Sequence, residues 1–306
     1  INHTGTITGN SHALTINNDG NRLYINGTVS GITQINVTKG ALGFDFNGGN
    51  RGGGAAVNVG YGASLWVVNQ NSTATNNVTL NGGSGYNSTG ALFHENSNST
   101  STISGIVTLN NGASSIGVGN AGGTLVLSGK ITGTGGITKI GAGTLALSGS
   151  TNDFTGTTSV NLGTLAITGN SSGLTGGFAV NALNTNSITT TAGTLTLNGN
   201  TGSLASNAAI KLNGGIFNYQ GATAGSTLDA SGYSFSGGDR TYQSTYGTSG
   251  TTALTLANAT RTAGTTNNYS TSGGTNGTTN KITFTSAPST GVLVDKGDYF
   301  GGTSYL

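Results

Sequence analysis

The feature that most constrains this fold is a seven-residue pattern that recurs along the middle of the chain. It begins with Gly-Thr-Leu, continues as an apolar-x-apolar strand and closes with Ser, Thr or Asn before a final Gly. Its copies start at Gly123, Gly143, Gly163 and Gly193, which are 20, 20 and 30 residues apart. Self-similarity at such a period is typical of a solenoid, in which each repeat stacks on the one before it.

Composition leaves two alternatives, a disordered linker or a repetitive β structure. The 306 residues include 57 glycines, and only 6% are charged, far from the usage of an ordinary domain. Apolar residues nevertheless alternate with polar ones over most of the chain, which indicates β-strands. Between about residues 221 and 280, Gly, Ser and Thr crowd out the aliphatic residues, and we expect even this stretch to be ordered.

Asn-Gly steps follow many of the short strands, and they usually suggest hairpins. Antiparallel meanders are therefore the main alternative to a solenoid. The period favours the solenoid, because three strands of four or five residues with their corners need about 20 residues, and parallel coils stack about 4.8 Å apart. About fifteen such coils would form a rod about 70 Å long.

The repeat register predicts two columns of aliphatic side chains inside the coils, with the intervening residues facing outward. Burial of each aliphatic side chain contributes about 1.5–3 kcal/mol, so only cooperative stacking can fold a glycine-rich chain of this kind. The first column holds Leu125, Leu145, Leu165 and Leu195, and the second holds Leu127, Leu147, Ile167 and Leu197.

Residues 137–165 carry a more specific pattern. They begin Ile-Thr-Lys-Ile-Gly-Ala-Gly-Thr-Leu, and they end on Gly163-Thr164-Leu165. This segment resembles the passenger-associated transport repeat of autotransporter proteins, and the flanks from 123 to 199 follow in weaker form. The resemblance implies an all-β, right-handed parallel β-helix that is exported through the outer membrane of a Gram-negative bacterium and displayed on its surface. We predict a single rod, with no transmembrane barrel in this chain.

Tyrosine usage changes after Asn218, which suggests a division of the chain. We assign residues 1–218 to a parallel β-helix with coils of about 20 residues. Residues 219–306, rich in Tyr, Gly, Ser and Thr, form a continuation or a capping and assembly region that is also β. Exposed aromatic side chains make good contact groups, so we consider a binding or assembly role for Tyr219, Tyr233, Tyr242, Tyr246, Tyr269 and Tyr299. The alternative is that these tyrosines cap the solenoid or stack along it.

Several chemistries lack their residues. There is no Cys, the three histidines have no metal-ligand spacing and are expected at the surface, and eight acids are spread along the chain at about one per coil. We therefore predict no catalytic, cofactor or metal site and no enzyme activity. Ten basic residues against eight acidic ones exclude a phosphate-binding footprint, so we expect no nucleic acid partner. The absence of Met and of a membrane-spanning apolar run leads us to expect a processed or excised segment with no membrane insertion of its own.

These features together predict an extracellular structural or adhesive β-solenoid on a bacterial cell surface, outside a Gram-negative outer membrane. We expect the chain to associate with itself end to end into a filament, because an open solenoid end exposes unpaired strand edges. The alternatives are an adhesin passenger that binds carbohydrates or receptors, with host or cell-surface glycans as partners, and a polysaccharide lyase or hydrolase on a β-helix.

Overall fold

The computed structural model describes residues 1–44, 53–68, 71–183, 191–257, 264–285, 298–300 and 304–305. Across these residues the chain is almost entirely β, with one short 3-10 turn at Tyr86–Ser88. Within the same ranges no helix is long and apolar enough to cross a membrane. In chain order the strands are β1 (Asn2–His3), β2 (Ile7–Ile25), β3 (Val29–Phe44), β4 (Ala56–Val59), β5 (Ser64–Val67), β6 (Thr73–Ala74), β7 (Val78–Leu80), β8 (Leu92–His94), β9 (Thr100–Ile103), β10 (Val107–Leu109), β11 (Ser114–Val118), β12 (Thr124–Leu127), β13 (Ile131–Gly133), β14 (Ile137–Ile140), β15 (Thr144–Leu147), β16 (Thr158–Val160), β17 (Thr164–Ile167), β18 (Asn170–Ser171), β19 (Phe178–Leu183), β20 (Thr191–Ala192), β21 (Thr194–Asn198), β22 (Ser203–Leu204), β23 (Ala209–Asn213), β24 (Ile216–Gln220), β25 (Ser226–Ala230), β26 (Ser234–Gly237), β27 (Arg240–Thr245), β28 (Thr252–Leu256), β29 (Asn267–Ser272), β30 (Asn280–Phe284), β31 (Asp298–Phe300) and β32 (Ser304–Tyr305).

The strands form three faces of a stack of coils. The first face runs from the early part of β3 through β4, β7, β10 and β13. The second runs from the later part of β3 through β5, β8, β11, β14, β16, β19, β23 and β26. The third face runs from β6 through β9, β12, β15, β17, β21, β24, β27, β29 and β31. Two smaller sheets, β18 with β22 and β25 with β28 and β30, follow the third face in the later coils.

Neighbouring coils pair in parallel, as the solenoid prediction requires. Among the described residues the antiparallel strand pairs are β19 with β20 and β31 with β32, and the other strand pairs are parallel. The hairpin alternative is therefore wrong, and the Asn-Gly steps serve as corners instead. Asn87, Asn98 and Asn111 adopt left-handed backbone conformations with φ of 51–52°, which asparagine tolerates better than most residues.

The number of coils is smaller than the repeat period suggested. The stack has about 11 turns rather than fifteen, which gives about 50 Å at a spacing of about 4.8 Å. Later coils are longer, because Leu195 pairs with Phe217, Phe217 with Tyr242 and Tyr242 with Tyr269, at intervals of 22, 25 and 27 residues. The division placed after residue 218 falls inside β24, and the third face continues across it.

The last two residues of each repeat close the corner after the third face. In the copy that ends at Gly149, the Ser148 N–H and hydroxyl both donate to the Leu127 carbonyl oxygen of the preceding coil, at 2.9 and 3.4 Å. The glycine that follows is required by lack of space. A methyl group at Gly149 would lie 2.3 Å from the Gly129 carbonyl oxygen, and one at Gly169 would lie 2.3 Å from that of Gly149.

We predict that Gly149→Ala lowers the free energy of unfolding by about 1–3 kcal/mol, because the added methyl group would force two coils apart. Gly238→Ala is the matched control, since a methyl group there meets no atom within 4 Å. We expect the control to change stability by less than about 1 kcal/mol. Denaturant unfolding followed by circular dichroism compares the two variants, and equal midpoints would contradict the steric role of this corner.

Candidate functional site

The predicted aliphatic residues lie in the interior of the third face. Leu145 pairs with Leu125 on one side and with Leu165 on the other, and Leu165 pairs with Leu195 across the 30-residue interval. The second column has the same register, with Leu127, Leu147, Ile167 and Leu197. All eight side chains are at most 1% exposed, so they form a continuous aliphatic interior.

Aromatic residues continue both columns after Leu195 and Leu197. Phe217, Tyr242 and Tyr269 follow Leu195 in register, and Tyr219 follows Leu197. The Tyr242 and Tyr269 rings stack with centroids 5.4 Å apart. The interior of the later coils is therefore filled by aromatic side chains at the positions where leucine stands earlier.

This packing corrects the predicted surface role of four tyrosines. Tyr219, Tyr233, Tyr242 and Tyr269 are between 0 and 8% exposed, so their rings cannot act as surface contact groups. Burial raises the pKa of Tyr233 to about 12, with a smaller contribution from the Asp229 charge. Of the remaining two, Tyr246 is half-buried and its hydroxyl donates to the Gly250 carbonyl oxygen at 3.3 Å. Tyr299 belongs to β31, and its side chain lies outside the described residues.

A cluster of edge-to-face contacts surrounds this aromatic column. Phe235, from the second face, lies 5.3 Å from Phe217 and 5.0 Å from Tyr242 between ring centroids. Phe284 contacts Tyr269 in the same way at 5.2 Å. Such pairs add stabilisation beyond the area they bury, so the cluster joins several coils of the later part of the chain.

Lys139, on the second face, is fully buried between Ile116 and Val160 of the adjacent coils. Its ammonium group donates to three backbone carbonyl oxygens, those of Ile140, Gly141 and Leu162, at 2.6–3.1 Å. Among the described residues it forms no ion pair, and burial lowers its pKa to about 7. A buried cation bonded only to carbonyls is one functional candidate that the sequence analysis missed, because lysine usually indicates a surface position.

His94 is the second buried titratable residue, and its burial corrects the expectation that all three histidines lie at the surface. Its Nε2 lies 3.3 Å from the Ser99 hydroxyl and 3.4 Å from the Ser99 carbonyl oxygen. Burial lowers the pKa of His94, and hydrogen bonds to the backbone of Ser99 and Val67 oppose this shift. The neutral form is therefore favoured in the folded protein.

Ion pairs in the described part of the chain lie on the outer surface and join neighbouring or nearby coils. Lys130 contacts Asp153 at 2.6 Å, and its hydrogen bond lowers the pKa of that carboxyl group. Arg22 lies 3.4 Å from Glu95 and 4.5 Å from the centre of the Trp66 ring. The third pair joins Lys39 to Asp19.

Uncharged side chains also link the coils. At the end of the second face, the Asn181 amide donates to Asn161 at 2.9 Å, and the Asn213 amide donates to Asn181 at 2.8 Å. Asn36, Asn58 and Asn81 form a similar series at the end of the first face. These amides bond with one another from coil to coil without any charge.

The described acids bond to bases or hydroxyl groups rather than to one another. Asp229 accepts the Ser231 N–H, and Asp239 accepts the N–H and hydroxyl of Thr266. Over the described ranges no group of three His, Asp or Glu side chains could hold a metal ion. Asp45, Asp295 and the side chain of Asp298 lie outside the described residues.

Comparison with known proteins identifies one family along this chain. The model of the passenger-associated transport repeat matches residues 137–167, which include Lys139 and two rungs of each aliphatic column. No curated protein and no solved structure matches the chain significantly. The repeat and the parallel solenoid together fit the β-helix of an autotransporter passenger, and the repeat family implies a secreted or cell-surface location.

We predict that Tyr242→Ala lowers the free energy of unfolding by about 3–5 kcal/mol, because it leaves a cavity between Phe235 and Tyr269. Tyr246→Ala is the matched control in the same strand region, and we expect it to cost about 1 kcal/mol or less, since its ring is only half-buried. Thermal unfolding of the two variants tests this, and equal melting temperatures would show that Tyr242 does not support the core.

Lys139 predicts a pH dependence of stability. Its pKa is about 7 in the folded chain against 10.5 in the unfolded chain, so the unfolded chain binds more protons between these values. Stability should therefore rise as the pH is raised from 7 to 9.5, by up to about 1.4 kcal/mol per unit. Lys139→Met should flatten this slope.

Lys211→Met, on the exposed side of the same face, is the control and should retain the slope. Measurements stop at pH 9.5 because the buried tyrosines affect stability above the ordinary tyrosine pKa of about 10. Denaturation midpoints at half-unit steps provide the data. A slope that is the same in Lys139→Met and in the unchanged protein would refute the assignment.

Proposed function

We propose that this chain is a non-enzymatic structural rod, displayed outside the outer membrane of a Gram-negative bacterium, and that copies of it associate end to end into a filament. The observation that carries this proposal is the unbroken register from Leu125 to Tyr269. Inward positions along this register are occupied by core side chains, so the chain offers length and outer surface rather than an interior pocket. The passenger repeat supports export and display.

End-to-end association is supported by the open edge of β2. Strand β1 pairs with β2 only at Tyr24 and Ile25, and most side chains of the remainder of β2 are exposed. Unpaired N–H and carbonyl groups of a strand edge readily accept another strand. A preceding coil of a longer chain could cover this edge, and in the filament a second copy covers it.

The charge distribution supports association as well. The formal net charge is only +2 over 306 residues, and protein surfaces with little net charge repel one another weakly. The same distribution offers no concentrated positive field for nucleic acid, so we propose no nucleic acid partner.

The acid side chains support a non-enzymatic role. A glycoside hydrolase needs two carboxyl groups that flank one substrate bond, about 5–9.5 Å apart. Asp19, Glu95 and Asp153 are instead each paired with a base. A role as a carbohydrate-binding adhesin is the second candidate, and an exposed aromatic residue at a corner of the early coils favours it, as developed below.

Filament formation has a direct test. We expect the purified chain to form fibres in negative-stain electron micrographs, with an axial repeat of about 4.8 Å in fibre diffraction. Adding lysines to the exposed edge strand, as Ala13→Lys with Asn17→Lys, should abolish the fibres, because like charges would meet at each junction.

The matched control places the same two charges away from the edge, as Thr100→Lys with Ala209→Lys, both at exposed positions. This control should form fibres as the unchanged chain does. A strictly monomeric unchanged chain, or fibres that survive the edge lysines, would refute the filament.

A further inference from the structure

A shallow cleft of about 390 Å³ lies at the corner between the first and second faces of the early coils. It extends along the stack, because successive coils supply its lining. The side chains that define it are Asp19, Lys39, Tyr61, Tyr86 and Asn87. None of them belongs to the aliphatic columns or to the passenger repeat.

Glycine at the corners opens this cleft. Gly20 and Gly62 have φ of 78° and 75°, and a Cβ added at either would meet no atom within 4 Å. The corner positions of two coils therefore expose bare backbone to solvent. A ligand can approach the peptide groups there without meeting a side chain.

Two tyrosines border the exposed backbone in different ways. The Tyr86 hydroxyl donates to the Gly20 carbonyl oxygen at 2.9 Å, so this side chain is fixed across 66 residues of sequence. Tyr61 is 78% exposed, and its ring lies beside Gly83. An aromatic ring held at a rigid corner with an open face is a contact group that loses little entropy on binding.

The charges at the cleft cancel. Lys39 Nζ lies 3.4 Å from Asp19 Oδ2, and both side chains remain more than half exposed. Exposed pairs of this kind contribute little to folding, so stability gives little reason for the pair. The cleft thus combines hydrogen-bonding groups with no net charge, which fits an uncharged polar ligand.

We propose that this cleft binds an uncharged pyranose sugar of a cell-surface or matrix glycan. A pyranose has an apolar C–H face, which stacks on the Tyr61 ring, and a rim of hydroxyl groups. These hydroxyl groups donate to the Asp19 carboxylate and accept from the Lys39 ammonium and the Asn87 amide. The inference deepens the adhesive alternative and rests on the proposed display of the rod on a cell surface.

The test is a glycan array that carries neutral hexose and N-acetylhexosamine oligosaccharides beside sialylated and sulfated ones. We expect the purified chain to bind neutral oligosaccharides. Tyr61→Ala and Asp19→Asn should each weaken the binding at least about tenfold, measured by titration with the best neutral oligosaccharide, while the melting temperature stays unchanged. Ile106→Ala is the control, because Ile106 is 44% exposed and lies outside the cleft.

Three results would overturn the proposal. They are absence of binding to neutral sugars, binding to sialylated or sulfated glycans alone, and binding that Tyr61→Ala leaves unchanged. Attachment to a protein that depends on Tyr61 but is not competed by free sugar would indicate a peptide ligand and would also overturn it. Electron microscopy of the same variants separates this proposal from the rod, since Tyr61→Ala should assemble as the unchanged chain does.

Discussion

Burial of one coil by the next is the interaction on which the rest of this structure depends. A single coil contributes only a few inward side chains, and ordering its many glycines costs more conformational entropy than ordering alanines would. Leu145 becomes buried only because Leu125 and Leu165 lie directly on either side of it. Stability is therefore shared between neighbours, as in other repeat proteins, and no coil is expected to fold alone.

Close stacking also determines how polar groups are accommodated. Coils about 4.8 Å apart leave no room for a methyl group at Gly149, but they bring identical amides such as Asn161 and Asn181 within hydrogen-bonding distance. Backbone carbonyl oxygens at a corner can even bind the ammonium group of Lys139. The chain thus satisfies buried polar groups with very few charged residues.

The sequence predicted the register where the repeat is regular, because Leu-x-Leu recurs with the same flanking residues from Gly123 to Gly199. It did not reveal the later core, because the inward residues there change to Phe217, Tyr242 and Tyr269 within a Gly, Ser and Thr background. The alternation was still present, since Tyr242 and Ser244 are buried while Thr241 and Gln243 are partly exposed. Lys139 could not be found in this way, because its carbonyl partners depend on how a corner folds.

Corners are the part of this fold that is free to carry a specific function. Inward positions are committed to the core, whereas a corner can change length without disturbing the register, as the 30-residue interval from Leu165 to Leu195 demonstrates. Longer coils do require larger inward side chains, and the aromatic column meets that need. Surface chemistry is thereby separated from core packing, and an exposed ring such as Tyr61 stands at a corner rather than in the middle of a strand.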